Sequence, residues 1–459
     1  MVLPQDFITY TRALMGSERY DKMASALLEE PSVSLRLNPF KTLSGITEVC
    51  NADGQVPWAS NGFYLSGRPN FTFDPLFHAG TYYVQEASSM FVAWIVSQLI
   101  HIPITMLDLC AAPGGKSTAL RSVLPKGSLL FCNEPMPQRS NILAENVQKF
   151  GHPDMVVTNN FAADYRKSGL QFDVILADVP CSGEGMFRKD AGAIAEWSEA
   201  NVEHCWRLQR EIISDIWPCL KPGGLLIYST CTFNDKENER NVEWIEQEFG
   251  ADFDLPPIPY GWNITGSIGS DIPACRFIPG LSKGEGLFLC VLRKRHEHHL
   301  SREERIKRPS KNIPTKPKMP DIPQWLKADY DCSIRLINSN IYAIRNQWVS
   351  VFDKACEALR IVHAGVGLAT SKGKDLIPHP ALALSIALAD GAFTQCELDY
   401  SSAIAFLRRE AIALPNETPR GYVLVTHKDM PLGFVKNIGN RANNLYPQEW
   451  RIKSTHIPD

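Results

Sequence analysis

Short apolar runs alternate with amphipathic segments through the middle of the chain. From about residue 100 the apolar runs are ITMLDLC, GSLLFCNE, DMVVTN, FDVILAD and GGLLIYSTC, with segments of helical spacing between them. This alternation is typical of a doubly wound α/β domain, in which helices cover both faces of a parallel sheet. Ligands bind such sheets at the carboxyl ends of the strands. The residues that follow these runs are therefore the candidates for function.

The pattern before this region predicts a separate, small domain. The opening residues have the spacing of short amphipathic helices and lead into VSLRLNPF. There Val33, Leu35 and Leu37 alternate with polar residues, so we expect a strand with Arg36 and Asn38 on its other face. The stretch HAGTYYVQEASSMFVAWIVSQLI then reads as a strand or turn entering an apolar helix, which closes the domain near residue 95.

A Pro- and Lys-rich stretch from about residue 300 to 323 interrupts the pattern, because repeated prolines neither continue a helix nor pair in a central strand. The residues beyond it have strand and turn chemistry that predicts a small β-rich module. The predicted organisation is an amino-terminal domain over 1–95, the parallel-sheet domain over 96–295, a basic Pro-rich linker over 296–325 and a carboxyl-terminal domain over 326–459.

The composition is that of an ordinary globular protein with more than one core: 459 residues, 44% of them hydrophobic and 21% charged. No apolar run is long enough for a bilayer span, and the first residues are too polar for a signal peptide, so we expect a cytoplasmic protein without membrane contact. The cysteines are dispersed and form no CxxC pair, which favours reduced thiols over disulfides or a zinc ribbon.

A formal net charge of -3 argues against nucleic-acid binding by the whole surface. Basic residues do outnumber acidic ones from Arg293 to Lys318, as in a local RNA-binding patch or, alternatively, a solvated linker. His296, His298 and His299 lie in this run without companion ligands, so we expect no metal site.

A glycine-containing loop joins the first strand of the parallel sheet to a helix. The segment LDLCAAPGGKST puts Pro113, Gly114 and Gly115 between the two elements, where glycines let the backbone approach a ligand closely. Glu134 ends the next strand, at a position where an acid accepts hydrogen bonds from ribose hydroxyls in this fold class. Either feature alone is an ordinary turn or a surface acid. Together they predict a cofactor that contains a nucleoside.

Two further strand ends carry cysteines. FDVILADVPCSGEG and GGLLIYSTCTFNDKENE put Asp178, Cys181 and Cys231 where they should converge beside the cofactor. Most cysteines are small apolar core residues, and we interpret Cys219 and Cys290 in that way. A helix start after a strand end lowers the pKa of a thiol, so we expect Cys181 and Cys231 to be reactive.

Two thiols beside one carboxylate suit methylation of carbon 5 of a cytosine. That carbon is a poor nucleophile, and a thiolate that adds to carbon 6 raises its electron density enough to attack a methyl sulfonium. A base must then remove the carbon 5 proton before the enzyme is released. Asp178 can stabilise the adduct through the exocyclic amine or ring nitrogen, and the second thiol can assist release.

The segments AAPGGKST, DVPCSGEGMFRKD and YSTCTFNDKENE resemble the motifs of the NOL/NOP2/Sun family of RNA cytosine-C5 methyltransferases. The resemblance spans at least residues 78–245, and VSLRLNP and HAGTYYVQEASSM resemble the family's amino-terminal segments. It implies a Rossmann-like SAM-dependent methyltransferase domain preceded by a small α+β RNA-binding domain. The carboxyl-terminal residues resemble, more loosely, the PUA-like β-rich extension of bacterial members that methylate rRNA.

The family resemblance also implies residue roles. Cys231 is then the nucleophile, Cys181 assists product release, and Lys116 reaches the active site with Asp178. The implied cofactor is S-adenosyl-L-methionine. Its expected contacts are Cys110, Ala111, Ala112, Pro113, Gly114, Gly115, Lys116, Glu134, Arg139, Asn160, Phe161 and Asp178.

The third strand end departs from the family pattern, which usually has an acid there beside the adenine. This chain reads VVTNNFAAD instead. An amide at Asn160 can still hydrogen bond the adenine amine and Phe161 can pack on the ring, with Asp164 as a less favoured substitute. The cofactor prediction stands, and the identity of the adenine contact stays open.

Near the carboxyl end, Arg441, Tyr446, Trp450 and Arg451 have side chains that suit phosphate contact and base stacking, although such residues also occur on plain folded surfaces.

The leading hypothesis is methylation of 16S rRNA by a monomer whose terminal modules grip RNA while the sheet domain takes the flipped base. A tRNA substrate is the nearest alternative. An amino-group methyltransferase would carry a motif such as NPPY where this chain has DVPC. A noncatalytic RNA-binding or assembly factor would have lost a cysteine or the glycine loop, and both are intact.

Overall fold

The computed structural model describes residues 2–41, 51–296, 324–372 and 375–454. Nearly all of the predicted basic linker, together with His298 and His299, lies outside the described residues. In these ranges no helix has the length and apolar character that a membrane span requires.

The helices in the described ranges are mostly short, and the longest has 18 residues. They are α1 (Gln5–Met15), α2 (Ser17–Ala26), α3 (Pro75–His78), α4 (Phe91–Leu99), α5 (Gly115–Val123), α6 (Pro137–Phe150), α7 (Ala162–Ser168), α8 (Ala191–Glu196), α9 (Glu199–Ile216), α10 (Glu239–Phe249), α11 (Val349–Ala358), α12 (Pro380–Leu384) and α13 (Tyr400–Leu407).

The strands assemble into four sheets. They are β1 (Val33–Leu37), β2 (Ala52–Gln55), β3 (Gly62–Leu65), β4 (Tyr82–Val84), β5 (Thr105–Asp108), β6 (Leu129–Asn133), β7 (Met155–Thr158), β8 (Phe172–Asp178), β9 (Leu220–Thr230), β10 (Ala251–Phe253), β11 (Cys275–Phe277), β12 (Leu287–Lys294), β13 (Cys332–Ile337), β14 (Asn340–Arg345), β15 (Ile361–Ala364), β16 (Val366–Lys372), β17 (Asp375–Pro378), β18 (Thr394–Glu397), β19 (Gly421–His427), β20 (Met430–Asn437) and β21 (Ala442–Asn444).

The central sheet has the order β10-β12-β9-β8-β5-β6-β7-β15, with β11 added against β12. Strands β5 to β9 are parallel, and each of the apolar runs noted in the sequence forms one of them. Apolar side chains from both faces of the sheet enter separate cores, one against α4, α5 and α6 and the other against α9 and α10. The predicted Rossmann-like parallel sheet is thereby confirmed.

The amino-terminal sheet, in the order β2-β3-β1-β4, packs directly on this domain. The alternation in β1 is as expected, but its polar face is buried as well. Arg36 donates to the Thr118 hydroxyl (2.6 Å) and to the Gly115 carbonyl oxygen (3.4 Å) at the start of α5. Asn38 donates to the Phe150 carbonyl oxygen at the end of α6 (2.9 Å). The amino-terminal domain is therefore anchored to the two helices that flank the glycine loop.

The region beyond residue 324 forms two small sheets, β13-β14-β16-β17 and β18-β19-β20-β21. Between β14 and β16 in the chain, β15 joins neither of these sheets and pairs antiparallel with β7, the outermost of the parallel strands. The central sheet thus takes its last strand from a segment that the sequence pattern assigns to the carboxyl-terminal domain.

Candidate active site

The carboxyl ends of β5, β6, β8 and β9 meet at one edge of the central sheet, and the predicted site residues lie along this edge. Strands β8 and β9 are neighbours, with Asp178 opposite Ser229 in the register. The loops that follow them carry the two cysteines. The Sγ atoms of Cys181 and Cys231 are 3.2 Å apart, although 50 residues separate them in the chain. The predicted convergence of the two thiols therefore holds in this fold.

The surroundings of Cys181 favour its protonated form. The hydrogen bond to Cys231, followed by burial, raises the pKa of Cys181 well above its usual range. The prediction of a lowered pKa for this thiol was wrong, because a short 3-10 turn at Glu184–Met186 follows Cys181 in place of a full helix. The Cys181 thiol therefore keeps its proton near neutral pH, and its sulfur accepts a long hydrogen bond from the Cys231 backbone N–H (3.4 Å).

Asp178 and Lys116 form an ion pair at the same edge, with Lys116 Nζ 2.7 Å from Asp178 Oδ2. The other carboxylate oxygen of Asp178 accepts from the Ser229 hydroxyl at 2.6 Å. Burial opposes the charge on Lys116, but the attraction of Asp178 outweighs it, and the charge of Cys231 acts in the same direction. Together they raise the pKa of Lys116 to about 12. The Lys116 ammonium is therefore paired with Asp178 and also interacts electrostatically with Cys231.

Two buried glutamates that the sequence analysis did not single out hold the cysteine loops together. Glu237, in the loop after Cys231, accepts from the Ser182 N–H (3.0 Å) and from Gln209 Nε2 (2.7 Å). Glu184, in the loop after Cys181, accepts from the Phe233 and Asn234 N–H groups at 2.8 and 2.9 Å. Each loop thus supplies a carboxylate to the backbone of the other. The segments CSGEG and NDKENE contain these acids, but no spacing in the sequence indicates that each acid bonds to the other loop.

The same two loops touch through Gly185, whose N–H donates to the Cys231 carbonyl oxygen at 2.8 Å. A Cβ atom at this position would lie 2.6 Å from that oxygen and 2.9 Å from the Cα atom of Gly286. Only glycine allows this approach. This close contact fixes the distance between the Cys231 backbone and the loop that carries Cys181.

The glycine loop is shaped by one glycine conformation and by two hydrogen bonds from α6. Gly114 has φ of +114°, a conformation that favours glycine. Asn146 of α6 donates to the Pro113 carbonyl oxygen (2.7 Å), and Arg139 donates to that of Ala112 (3.1 Å). From Cys110 to Lys116 the backbone therefore runs past the ends of β5 and β6, as a loop that holds a nucleoside cofactor requires.

Glu134, at the end of β6, is 1% exposed. Its Oε1 accepts from the Met136 N–H (3.0 Å), and its Oε2 lies 3.5 Å from Arg139 Nη1. The acid is thus held at the predicted ribose position. Met136, which the sequence analysis did not single out, exposes 55% of its surface beside it.

Asp108 is the clearest site residue that the sequence analysis missed. It ends β5 fully buried, its Oδ2 accepts from Ser117 (2.6 Å), and its Oδ1 has no hydrogen-bond partner. Burial, with a smaller effect of Asp178, raises its pKa to about 7. An orphaned acceptor beside the glycine loop fits the cationic groups of S-adenosylmethionine. The signal in the sequence is the acid itself, because a charged residue inside an apolar strand needs a partner.

The third strand end is arranged differently from the expectation. The Asn160 side chain pairs with the backbone of Arg360, so its amide already has partners. Asp164 caps α7 by accepting from the Phe161 N–H at 3.0 Å. The Phe161 ring is 66% exposed and lies free at the edge where the adenine is expected.

The carboxyl-terminal residues proposed for RNA contact divide into two kinds. Tyr446 is 2% exposed and packs on Phe406 in the core of the last sheet, so the expectation that it stacks on bases was wrong. Trp450 is half-buried beside Lys149, whereas Arg441 and Arg451 are exposed. Across the described ranges, no group of three or more potential metal ligands comes together.

Comparison with known families covers three parts of the chain. Residues 103–293 match the family described as 16S rRNA methyltransferase RsmB/F. Residues 3–87 match the N-terminal domain of 16S rRNA methyltransferase RsmF, and residues 393–452 match the methyltransferase RsmF PUA domain.

Whole-chain relatives agree with these matches. The chain is 32% identical over 438 residues to ribosomal RNA small subunit methyltransferase F of Shewanella loihica. This alignment covers 91% of this chain and 88% of the relative. It is 28% identical over 474 residues to the protein of the same name in Serratia proteamaculans, with 97% and 96% covered.

Solved structures share the fold. A methyltransferase homolog protein from Pyrococcus horikoshii superimposes with a TM-score of 0.54 at 25% identity, covering 63% of this chain and 95% of that one. The crystal structure of NSun6 from the same organism with SFG superimposes with a TM-score of 0.55 at 20% identity, covering 64% and 99%.

Proposed function

The chain belongs to the RsmB/F family of 16S rRNA methyltransferases, which are SAM-dependent enzymes, and from this premise we propose that it methylates carbon 5 of a cytosine in 16S rRNA with Cys231 as the nucleophile. The observation that carries the proposal is the pair of thiols 3.2 Å apart beside the Asp178–Lys116 ion pair. Methylation of an exocyclic amine would leave both thiols without a task.

In the proposed reaction the Cys231 thiolate adds to carbon 6 of the flipped cytosine. The Lys116 ammonium stabilises the thiolate before attack, and Cys181 donates a hydrogen bond to the same sulfur. Asp178 accepts from the exocyclic amine and holds the base over the nucleophile. Bound S-adenosylmethionine supplies the methyl group.

Release reverses the first bond. A base takes the proton from carbon 5, the carbon 5–carbon 6 double bond re-forms, and the bond from carbon 6 to Cys231 sulfur breaks. A thiolate that is already hydrogen-bonded is a better leaving group, and the raised pKa of Cys181 keeps its proton available for that hydrogen bond. This supports the separate role of Cys181 in product release.

The residues that would hold S-adenosylmethionine follow from the edge of the sheet. The loop from Cys110 to Lys116 cradles the cofactor, Glu134 accepts from the ribose, and Phe161 offers an apolar face to the adenine. To these we add Asp108, whose buried Oδ1 has no hydrogen-bond partner and suits an ammonium group. We further propose that residues 1–95 and 326–459 grip the RNA, and that the enzyme acts as a monomer in the cytoplasm, where its substrate is found.

The test is methylation of small-subunit rRNA and of tRNA with labelled S-adenosylmethionine, followed by denaturing gels and mapping of 5-methylcytosine. We expect Cys231→Ala to lose at least about 10³-fold in rate, because the remaining thiol, Cys181, stays protonated and is a poor nucleophile. Cys181→Ala should instead accumulate an RNA adduct that resists denaturant. Cys356→Ala, an exposed thiol on α11, is the matched control and should behave as wild type.

Three outcomes would contradict parts of the proposal. Full activity of Cys231→Ala, or an amino-methylated product, would remove the thiol mechanism. Label in tRNA alone would replace the substrate. Absence of methylation with every RNA, despite RNA binding, would favour a noncatalytic assembly factor. Light scattering of the purified chain tests the monomer separately.

A further inference from the structure

Three hydrogen bonds to the backbone of Arg360 join the cofactor edge of the sheet to the carboxyl-terminal part of the chain. Asn160 Nδ2 donates to the Arg360 carbonyl oxygen (3.3 Å), and the Arg360 N–H donates to Asn160 Oδ1 (3.1 Å). The same carbonyl accepts from the Asn159 N–H at 3.0 Å. Both ends of the Asn160 amide are therefore used by the backbone of one residue, immediately before β15 pairs with β7.

The backbone of Asn160 continues this connection toward the glycine loop. Asn133, at the end of β6, accepts from the Asn160 N–H (3.1 Å) and donates to its carbonyl oxygen (2.8 Å). Asn133 also donates to the Leu109 carbonyl oxygen (3.0 Å), and its own carbonyl accepts from the Ala111 N–H (2.8 Å). Asn133 and Asn160 are buried, so a shift of Arg360 that breaks these hydrogen bonds would raise the free energy of the folded protein.

The side-chain amide of Asn159 holds the backbone next to the proposed ribose acid, Glu134, in the same way. Asn159 Nδ2 donates to the carbonyl oxygens of Glu134 (2.8 Å) and Pro135 (2.9 Å). The backbone that carries the ribose acid is thus tied to the end of β7, and the end of β7 is tied to Arg360.

We propose that Asn160 is a positioning residue for S-adenosylmethionine, which holds the adenine side of the site through Arg360 and makes the carboxyl-terminal part of the chain a component of cofactor binding. The proposal rests on the proposed function for the identity of the ligand. An asparagine is needed because one side chain must donate and accept at once, and a carboxylate has only acceptors. This accounts for an amide where the family pattern has an acid.

A conservative substitution separates this role from direct contact with the adenine. In Asn160→Asp, a carboxylate oxygen replaces the donor that lies 3.3 Å from the Arg360 carbonyl oxygen. We expect the dissociation constant for S-adenosylmethionine to rise about three- to tenfold, the effect of one lost hydrogen bond. If the side chain instead contacted the adenine amine, the carboxylate would bind as well or better, and an unchanged or lower dissociation constant would overturn the proposal.

The partner is tested through its backbone. The Arg360 side chain is exposed and takes no part in the pair, so Arg360→Ala serves as the reference background. Arg360→Pro removes the N–H donor, and Leu359 before it already has the extended conformation (φ -119°, ψ 149°) that a following proline requires. Calorimetry then gives dissociation constants for Arg360→Ala, Arg360→Pro and each combined with Asn160→Ala.

If the two groups act as one pair, either change weakens binding about three- to tenfold and the double change is no worse than the larger single effect. Effects that multiply, or an Arg360→Pro protein that binds as the reference does, would overturn the proposal. Should Arg360→Pro fail to fold, as melting curves would reveal, Asn160→Asp alone decides.

Kinetics distinguish positioning from general damage. We expect the KM for S-adenosylmethionine to rise while kcat at saturating cofactor and the KM for RNA stay within about twofold. A fall in kcat with unchanged cofactor KM would refute the inference. Because calorimetry needs no methyl transfer, failure here leaves the Cys231 assignment intact, and a product other than 5-methylcytosine leaves the binding test readable.

Discussion

Cys181 and Cys231 show how position decides the role of a side chain. The two thiols share one hydrogen bond, and that bond, together with burial, raises the pKa of Cys181 well above its usual range. Lys116 meanwhile adds a fixed positive charge beside Cys231. These surroundings fit the two different roles proposed for the thiols, and the motif sequences alone do not predict that difference.

Asp108 leads to a prediction about pH. Its pKa of about 7 lies well above that of a free aspartate, so near neutral pH about half of the protein holds a proton there. A cationic ligand prefers the carboxylate, and binding must expel that proton below pH 7. We therefore expect S-adenosylmethionine to bind about tenfold more weakly at pH 6 than at pH 8.

Titration calorimetry at several pH values checks this expectation. The ligand titrates too, so Asp108→Asn provides the background: it should bind more weakly throughout and lack the wild-type slope. Equal pH dependence in the two proteins would mean that Asp108 does not face the cofactor.

The same residue affects folding. Its folded pKa is raised, so the unfolded chain loses this proton first as pH increases. Its contribution to stability is therefore greatest below pH 4 and is lost between about pH 4 and 7. Ligand binding offsets this loss, because it favours the charged form.

At the scale of elements, the loops after β8 and β9 behave as one unit. Glu237 is fully buried and receives donors from Ser182, Gln209 and Asn234. We expect Glu237→Gln to lower the free energy of unfolding by about 1–3 kcal/mol, because its amide would present donors to donors. Methylation should fall at least about tenfold, since the Cys181 loop loses its anchor beside Cys231.

Urea unfolding and single-turnover methylation measure both effects. Glu248→Gln, an exposed glutamate of α10 with the same change in charge, is the matched control and should leave both quantities unchanged. If Glu237→Gln had the methylation rate and the unfolding free energy of the wild type, the hydrogen bonds between Glu237 and the Cys181 loop would have no importance for catalysis.

The sequence predicts those features that depend on local pattern. Strands β5 to β9 follow from apolar runs, and Asp178, Cys181 and Cys231 follow from strand ends that a parallel sheet must bring together. The partners of Glu237 and Asn160 could not be predicted, because a hydrogen bond between distant residues has no periodicity. The pairing of β15 with β7 is hidden for the same reason: Ile361 to Ala364 are four residues without a distinctive spacing.

The whole molecule is more tightly joined than three consecutive domains. Arg36 and Asn38 anchor the amino-terminal sheet to α5 and α6, and β15 completes the central sheet from the other side. The cofactor edge of the central sheet is thus held by the amino-terminal sheet on one side and by β15 on the other.

Truncation tests this view. A chain that ends at residue 295 exposes β7 as an unpaired edge strand and frees Asn160, so we expect aggregation and at least about threefold weaker binding of S-adenosylmethionine. A chain that ends at residue 392 keeps β15 and lacks the last sheet with α13, and it should bind within about twofold of the full chain. Size-exclusion chromatography and calorimetry compare them. A monomeric 295-residue chain with full affinity would show that β15 is dispensable.

The position of β15 late in the sequence also determines when the central sheet can be completed during synthesis of the chain. Ile361 follows its partner Thr158 by 203 residues. At about 5–20 residues per second, β7 leaves the ribosome roughly 10–40 s before the strand that covers it. Every residue proposed for chemistry has been made by then, so the pairing of β15 with β7 is the last strand pairing that completes the central sheet.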